Sequence, residues 1–87
     1  MNYKKELIKK INKLLNNEVT VPEFEDQYYF YFLNEVPDDA LNDIDFEFFA
    51  DIQEKLDWVS ENPNEEERKY GWINHSEFIE WLKNKMS

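Results

Sequence analysis

Twice in this chain a hydrophobic residue leads into a side-chain cap, two further residues, a glutamate and a phenylalanine. Val19-Thr20-Val21-Pro22-Glu23-Phe24 puts Thr20 at an N-cap, Pro22 in the first turn and Glu23 at the third helical position. Hydroxyl and carboxylate can then each satisfy a backbone N–H of the other residue, and Val19 and Phe24 can pack as a hydrophobic staple. Ile73-Asn74-His75-Ser76-Glu77-Phe78 repeats that grammar, with Asn74 as the cap and Ile73 against Phe78. Two helices must begin at these points. One glycine and three prolines leave few other interruptions and no flexible linker.

Helical periodicity fills most of what lies between. Leu7, Ile8, Ile11, Leu14 and Leu15 form one stripe with lysines opposite, which predicts a first helix over residues 3–16, stopped at Asn16-Asn17. The second helix should run from about 21 to 35 and end before Pro37. Its stretch Tyr28-Tyr29-Phe30-Tyr31-Phe32-Leu33 has strand propensity. The capping box feeding into it, and the want of a second strand to pair with, favour helix. A third helix is predicted from Asp38 or Asp39 to Val59, with Leu41, Ile44, Phe48, Ile52, Leu56 and Val59 along its seam, Phe49 widening it and Phe46 off it. A fourth is predicted over 75–86, with Phe78, Ile79, Leu82 and Met86 inward. Residues 60–73 form the one long connection. The fold class this implies is all-α, a small antiparallel four-helix bundle occupying residues 1–87 as a single domain.

A domain of 87 residues is near the size at which a core needs staples or dense packing, and the chain has no cysteine. Seven Phe, five Tyr and three Trp offer the dense packing. The absence of thiols also fits a reducing cytosol, so a cytoplasmic location is expected. No apolar run approaches the ~20 residues that cross a bilayer, and the basic N-terminus lacks the apolar stretch of a signal peptide.

Ten Lys and Arg against twenty Asp and Glu give a net charge of −10. That balance argues against a nucleic-acid ligand and against an anionic membrane surface. The charge is unevenly placed: residues 1–17 carry net +4, residues 68–87 net +2, and residues 18–67, with seventeen acids and Lys55 alone, net −16. Such a run is a solvated, solubilising surface or a field that steers a basic partner.

Residues for covalent or metal chemistry are scarce. His75 is the only histidine and sits at the start of a helix, where the dipole disfavours a cation. No base is available for Thr20, Ser60, Ser76 or Ser87 as nucleophile, and there is no Gly-rich phosphate loop. The acids from Asp38 to Asp51 lack the glycine and terminal glutamate of an EF-hand loop. The expectation is a protein that is not an enzyme, with no cofactor and no metal.

What remains is a surface. On the third helix, Asp43, Glu47, Asp51, Glu54 and Asp57, followed by Glu61, recur every three or four residues as a carboxylate ridge. Like charges at that spacing cost stability, so the ridge hints at a use other than folding. Trp58 lies beside it, Glu65 and Glu66 belong to the acidic loop that follows, and Tyr70 and Trp72 close that loop. Tryptophan is a common core residue and also a common binding anchor.

The order of these segments resembles the colicin-like immunity proteins typified by the partner of colicin D. The likeness lies in Leu7-Ile8-x-x-Ile11, Val19-Thr20-x-x-Glu23-Phe24-Glu25, Ile44-x-x-x-Phe48-Phe49-Ala50-Asp51-Ile52, Asn62-Pro63 with Arg68 shortly after, and Ile73-Asn74-x-x-Glu77-Phe78. It spans nearly the whole chain; the aromatic second helix departs from it. The resemblance implies a small helical bundle that binds and silences a cognate nuclease toxin, either a tRNA-cleaving bacteriocin or the toxin domain of a contact-dependent growth inhibition system. It implies a monomer in a 1:1 complex that covers the toxin's basic active-site surface without touching nucleic acid. The family's acidic stretch corresponds to Asp51, Glu54, Asp57 and Glu61, and Arg68 to a structural bridge from loop to bundle. With them, Glu47, Glu65 and Glu66 would meet toxin cations, around Trp58 and Tyr70 or Trp72 as anchors. The alternative is an acidic interaction module or nucleic-acid mimic that acts on a host nucleic-acid-binding protein.

Overall fold

The computed structural model describes residues 2–87 and is all-α. Helix α1 spans Tyr3–Leu15, α2 spans Val21–Phe30 and runs on as a π-helical turn over Tyr31–Glu35, and α3 spans Asp43–Leu56. A short α4, Glu65–Lys69, precedes α5, His75–Met86. The four longer helices form a ring in which α1 touches α2 and α5, and α3 touches the same two. Neighbours run antiparallel. Tyr28 bonds Phe49 and Phe32 meets Phe46 across α2 and α3, while Lys85 pairs with Asp51 and Lys55 lies over Trp81 across α3 and α5.

Local chemistry sets the helix ends. The Thr20 and Asn74 capping boxes form as expected, with Thr20 Oγ1 accepting from Glu23 N and Asn74 Oδ1 from Glu77 N. Helix α1 stops where Asn17 takes a left-handed φ of 62° and Glu18 N donates to Lys13 O at 2.8 Å, which satisfies carbonyls the helix leaves open. The Asn74 amide and then the Arg68 guanidinium hold the Glu77 carboxyl below the usual carboxylate range, and Thr20 does the same for Glu23. Groups with depressed folded values stabilise above the unfolded carboxylate range, and lose that contribution as pH falls through it. Asn74→Ala removes the neutral acceptor for Glu77 N and keeps the backbone N–H that Glu77 accepts from. It is therefore expected to cost about 1 kcal/mol by urea unfolding with little dependence on pH, whereas the wild-type advantage over Glu77→Gln should fade as the pH is lowered below about 4.

Three expectations change. Helix α3 begins at Asp43, not at Asp38 or Asp39, because Pro37 starts a turn closed by Ala40 N donating to Pro37 O, and Asn42 takes the cap by accepting from Asp45 N at 2.7 Å. It ends at Leu56, so Leu41 and Val59 lie outside it. The helix is also rotated from its predicted seam: Phe49, Ile52 and Leu56 are buried, Phe48 is half-buried, and Ile44 is 81% exposed. The long connection is not all loop, since Asn64 and Glu67 make a third capping box and start α4. Gly71, with φ of +99°, ends α4 in a conformation that strains any residue with a Cβ.

The core is aromatic at its centre. Tyr28, Phe24, Phe49 and Phe78 are fully buried beside Leu7, Ile11, Leu14, Ile52, Leu56 and Leu82. Phe24 leans on Tyr28 at 5.1 Å and on Phe78 at 6.2 Å between ring centroids. The Tyr28 hydroxyl donates to Phe49 O at 2.7 Å, which gives a buried polar atom a partner and fixes the rotation of α3 against α2. Burial pushes the Tyr28 phenol far above its ordinary pKa. The folded value is raised above the unfolded one, so this contribution is complete below about pH 10 and is lost as the pH rises past it. Tyr28→Phe is expected to cost about 1 kcal/mol at neutral pH and to move alkaline unfolding to higher pH, read by circular dichroism. An unmoved alkaline midpoint would assign that transition to other groups.

Candidate functional site: an acidic, aromatic face

The base of the 60–73 connection is closed by a single parallel bridge between Val59 and Ile73. Ser60 N donates to Ile73 O and Ile73 N to Trp58 O, each at 3.0 Å. This closure sets the two flanking indoles side by side, with Trp58 and Trp72 edge to face at 5.7 Å. Trp58 is 40% exposed and Tyr70, at the end of α4, is 70% exposed. Trp72 is half-buried. Arg68 anchors the segment by donating to Glu77 Oε1 at 2.8 Å, so α4 is tied to the first turn of α5 as the expected bridge from loop to bundle.

Against this turn the last part of α3 forms the wall of a shallow depression of about 370 Å³. Asp51, Glu54 and Lys55 supply one side, Trp58, Tyr70 and Gly71 another, and Trp81 of α5 the third. Of the ten residues singled out in the sequence, the structure gathers four here: Asp51, Glu54, Trp58 and Tyr70, with Trp72 behind Trp58. Trp81 is a lining residue that the sequence does not mark, because the predicted seam of the last helix runs through Phe78, Ile79, Leu82 and Met86 and leaves it out. Its ring is half-buried, stacked on Phe78 and covered by Lys55 and Lys85 at 5.8 and 5.6 Å.

The ridge is present as a row of exposed side chains at Asp43, Glu47, Asp51, Glu54, Asp57 and Glu61. Among the described residues only Asp51 of these is in an ion pair, with Lys85 Nζ at 3.3 Å; the other ion pairs are Lys4 with Asp45 and Arg68 with Glu77. Asp57 turns to the far side of the ridge, where it accepts a hydrogen bond from the Tyr29 hydroxyl. Partial burial, and then the charges of Asp26 and Asp57, raise the Glu25 carboxyl above the usual carboxylate range, so the negative field wraps round onto α2. Glu61 is exposed beyond the end of α3, and Glu65 and Glu66 are exposed in the first turn of α4; none of the three lines the depression.

The arrangement suits recognition of cations. Carboxylates next to open indole and phenol faces attract lysine and, better, the flat guanidinium of arginine, by charge and by the ring quadrupole together. No group of three or more His, Cys, Asp or Glu side chains capable of holding a metal ion occurs among the described residues, and no helix is long and apolar enough to cross a membrane. Comparison with protein-family models, with curated proteins and with solved structures finds no match to this chain.

Proposed function

We propose that this chain is an immunity protein that binds a cognate nuclease toxin in the cytoplasm and neutralises it by covering the basic surface on which the toxin holds RNA. The observation that carries the reading is the exposed carboxylate ridge, left without internal cations at Glu47, Glu54 and Glu61, standing beside the half-open pair Trp58 and Trp72. A nuclease that grips phosphates presents lysine and arginine around its active site. A protein face that carries the same sign of charge as RNA competes for those residues, and long-range attraction speeds its arrival. Trp58 and Tyr70 are the anchors, with Asp51 and Glu54 pairing to toxin cations around them. The colicin D type of immunity protein, which the segment order resembles, supports a tRNA-cleaving toxin, of a bacteriocin or of a contact-dependent growth inhibition system.

The test is co-purification with the toxin domain encoded beside this gene, followed by cleavage of total tRNA. A 1:1 complex with cleavage abolished is the expected result. Failure to bind, or binding that leaves cleavage intact, overturns the reading. Capture of a host nucleic-acid-binding protein with an affinity the toxin lacks would replace it with the host-protein mimic.

A further inference from the structure

We infer that a second site, the cleft between the π-helical end of α2 and the middle of α3, seats an apolar side chain flanked by lysine or arginine on the same partner. The inference rests on the partner being a basic protein, as proposed above, and locates where it makes apolar contact. The cleft exists because α2 and α3 are pinned at one level and separate at the next. Tyr28 bonds Phe49 O, Phe32 stacks on Tyr28 at 5.8 Å and leans on Phe46 at 5.8 Å, and from Tyr31 onward the backbone is wound as the π turn. That turn closes with Val36 N donating to Tyr31 O at 3.1 Å, five residues back. Pro37 then turns the chain away. Single π turns are rare and recur at functional sites.

The cleft holds about 320 Å³, room for one or two side chains. Phe32, Leu33, Val36 and Phe46 give it an apolar floor. Leu33 and Phe46 are 57% and 46% exposed and line the same cleft, so their apolar surface is contiguous and not scattered. Asp38, Glu54 and Asp57 line it as well, and no lysine or arginine does. Apolar floor and anionic rim together select an apolar residue with cationic neighbours, and disfavour an acidic peptide. Glu54 lines both the cleft and the depression beside Trp58. One partner can therefore lie across the ridge and fill both.

Leu33→Ser and Asp38→Lys change the cleft without touching the core or the depression. The probe is a synthetic peptide, Lys-Arg-Leu-Phe-Arg-Lys, titrated into isotope-labelled protein and followed by amide chemical shifts. Its controls carry Ser-Ser in place of Leu-Phe, or Glu and Asp in place of the cations. The expected result is saturable shifts at residues 32–38 and 46–50 with the basic apolar peptide alone, and binding about fivefold weaker in each variant. Shifts confined to Asp51, Lys55, Trp58, Tyr70 and Trp81, which line the depression and not the cleft, equal binding of either control peptide, or unchanged affinity in both variants would overturn the inference. So would sedimentation showing self-association that Leu33→Ser abolishes, because the occupant would then be a second copy. The titration needs no toxin, so a silent cleft in a protein that still neutralises its toxin refutes this site alone. A responsive cleft without toxin binding refutes the immunity reading instead.

Discussion

Phe78→Ala is expected to leave most of the chain unfolded at room temperature. Phe78 is fully buried, stacks on Trp81 at 5.8 Å and meets Phe24 at 6.2 Å. It also stands one position past the Asn74 capping box, so it joins the start of α5 to the centre of the core. Removing a buried phenylalanine ring costs roughly 3–5 kcal/mol, from lost transfer energy and from the cavity left behind. Below about 70–80 residues a single core rarely supplies more than about 3–5 kcal/mol, and this chain of 87 stands just above that size. No disulfide is present to restrain the unfolded chain. Phe78→Leu, which keeps most of the volume, should cost under about 1.5 kcal/mol and stay folded. Far-ultraviolet circular dichroism with urea titration reads both. A cooperative Phe78→Ala transition with a midpoint near that of the wild type would show that the aromatic centre is not where the stability resides.

That centre was only partly legible beforehand. Caps are local, so Thr20, Asn74 and the Asn16-Asn17 stop placed the start of α2, the start of α5 and the end of α1 to within a residue, whereas the helix expected to run on to residue 35 changes from α to π after Phe30. The start of α3 went astray because Asp38-Asp39 after a proline and Asn42 before Asp43 both look like caps; the structure gives the helix to Asn42 and uses the earlier acids in a turn. Its rotation is a tertiary property. Phe46, Phe48 and Phe49 mark three faces of one helix, and the Tyr28 hydroxyl on the Phe49 carbonyl, with Phe32 against Phe46, decides among them. Helix α4 carries the same grammar, Asn64 with Glu67, on five polar residues with no apolar stripe to draw attention to it. The acidic ridge was readable because it depends only on spacing along one helix. The depression and the cleft were not, since each needs a second element at a particular distance: the α4 turn brought back by the Val59–Ile73 bridge in one case, the π turn in the other.

Glu54→Lys should separate binding from folding. Glu54 is exposed, is in none of the ion pairs among the described residues, and faces both the Trp58 depression and the cleft. Its helical neighbours three residues away on either side are Asp51 and Asp57. A lysine there exchanges two like-charge neighbours for two opposite ones, each worth about 0.2–0.5 kcal/mol in a helix. The variant is therefore expected to melt at the wild-type temperature or slightly above it. If the ridge steers a basic toxin, the same change opposes the encounter, and association should slow roughly tenfold at low ionic strength. Raising the salt toward 1 M, where screening acts within about 3 Å, should bring the variant and wild-type rates together. Stopped-flow association at several salt concentrations, paired with thermal melts, provides both readouts. Slower binding without lost stability is the signature of a residue kept for its partner, because a solubilising charge with no partner would leave the rate alone. An unchanged rate at low salt would remove from the interface both the ridge and the acidic rim that the cleft shares with it at Glu54.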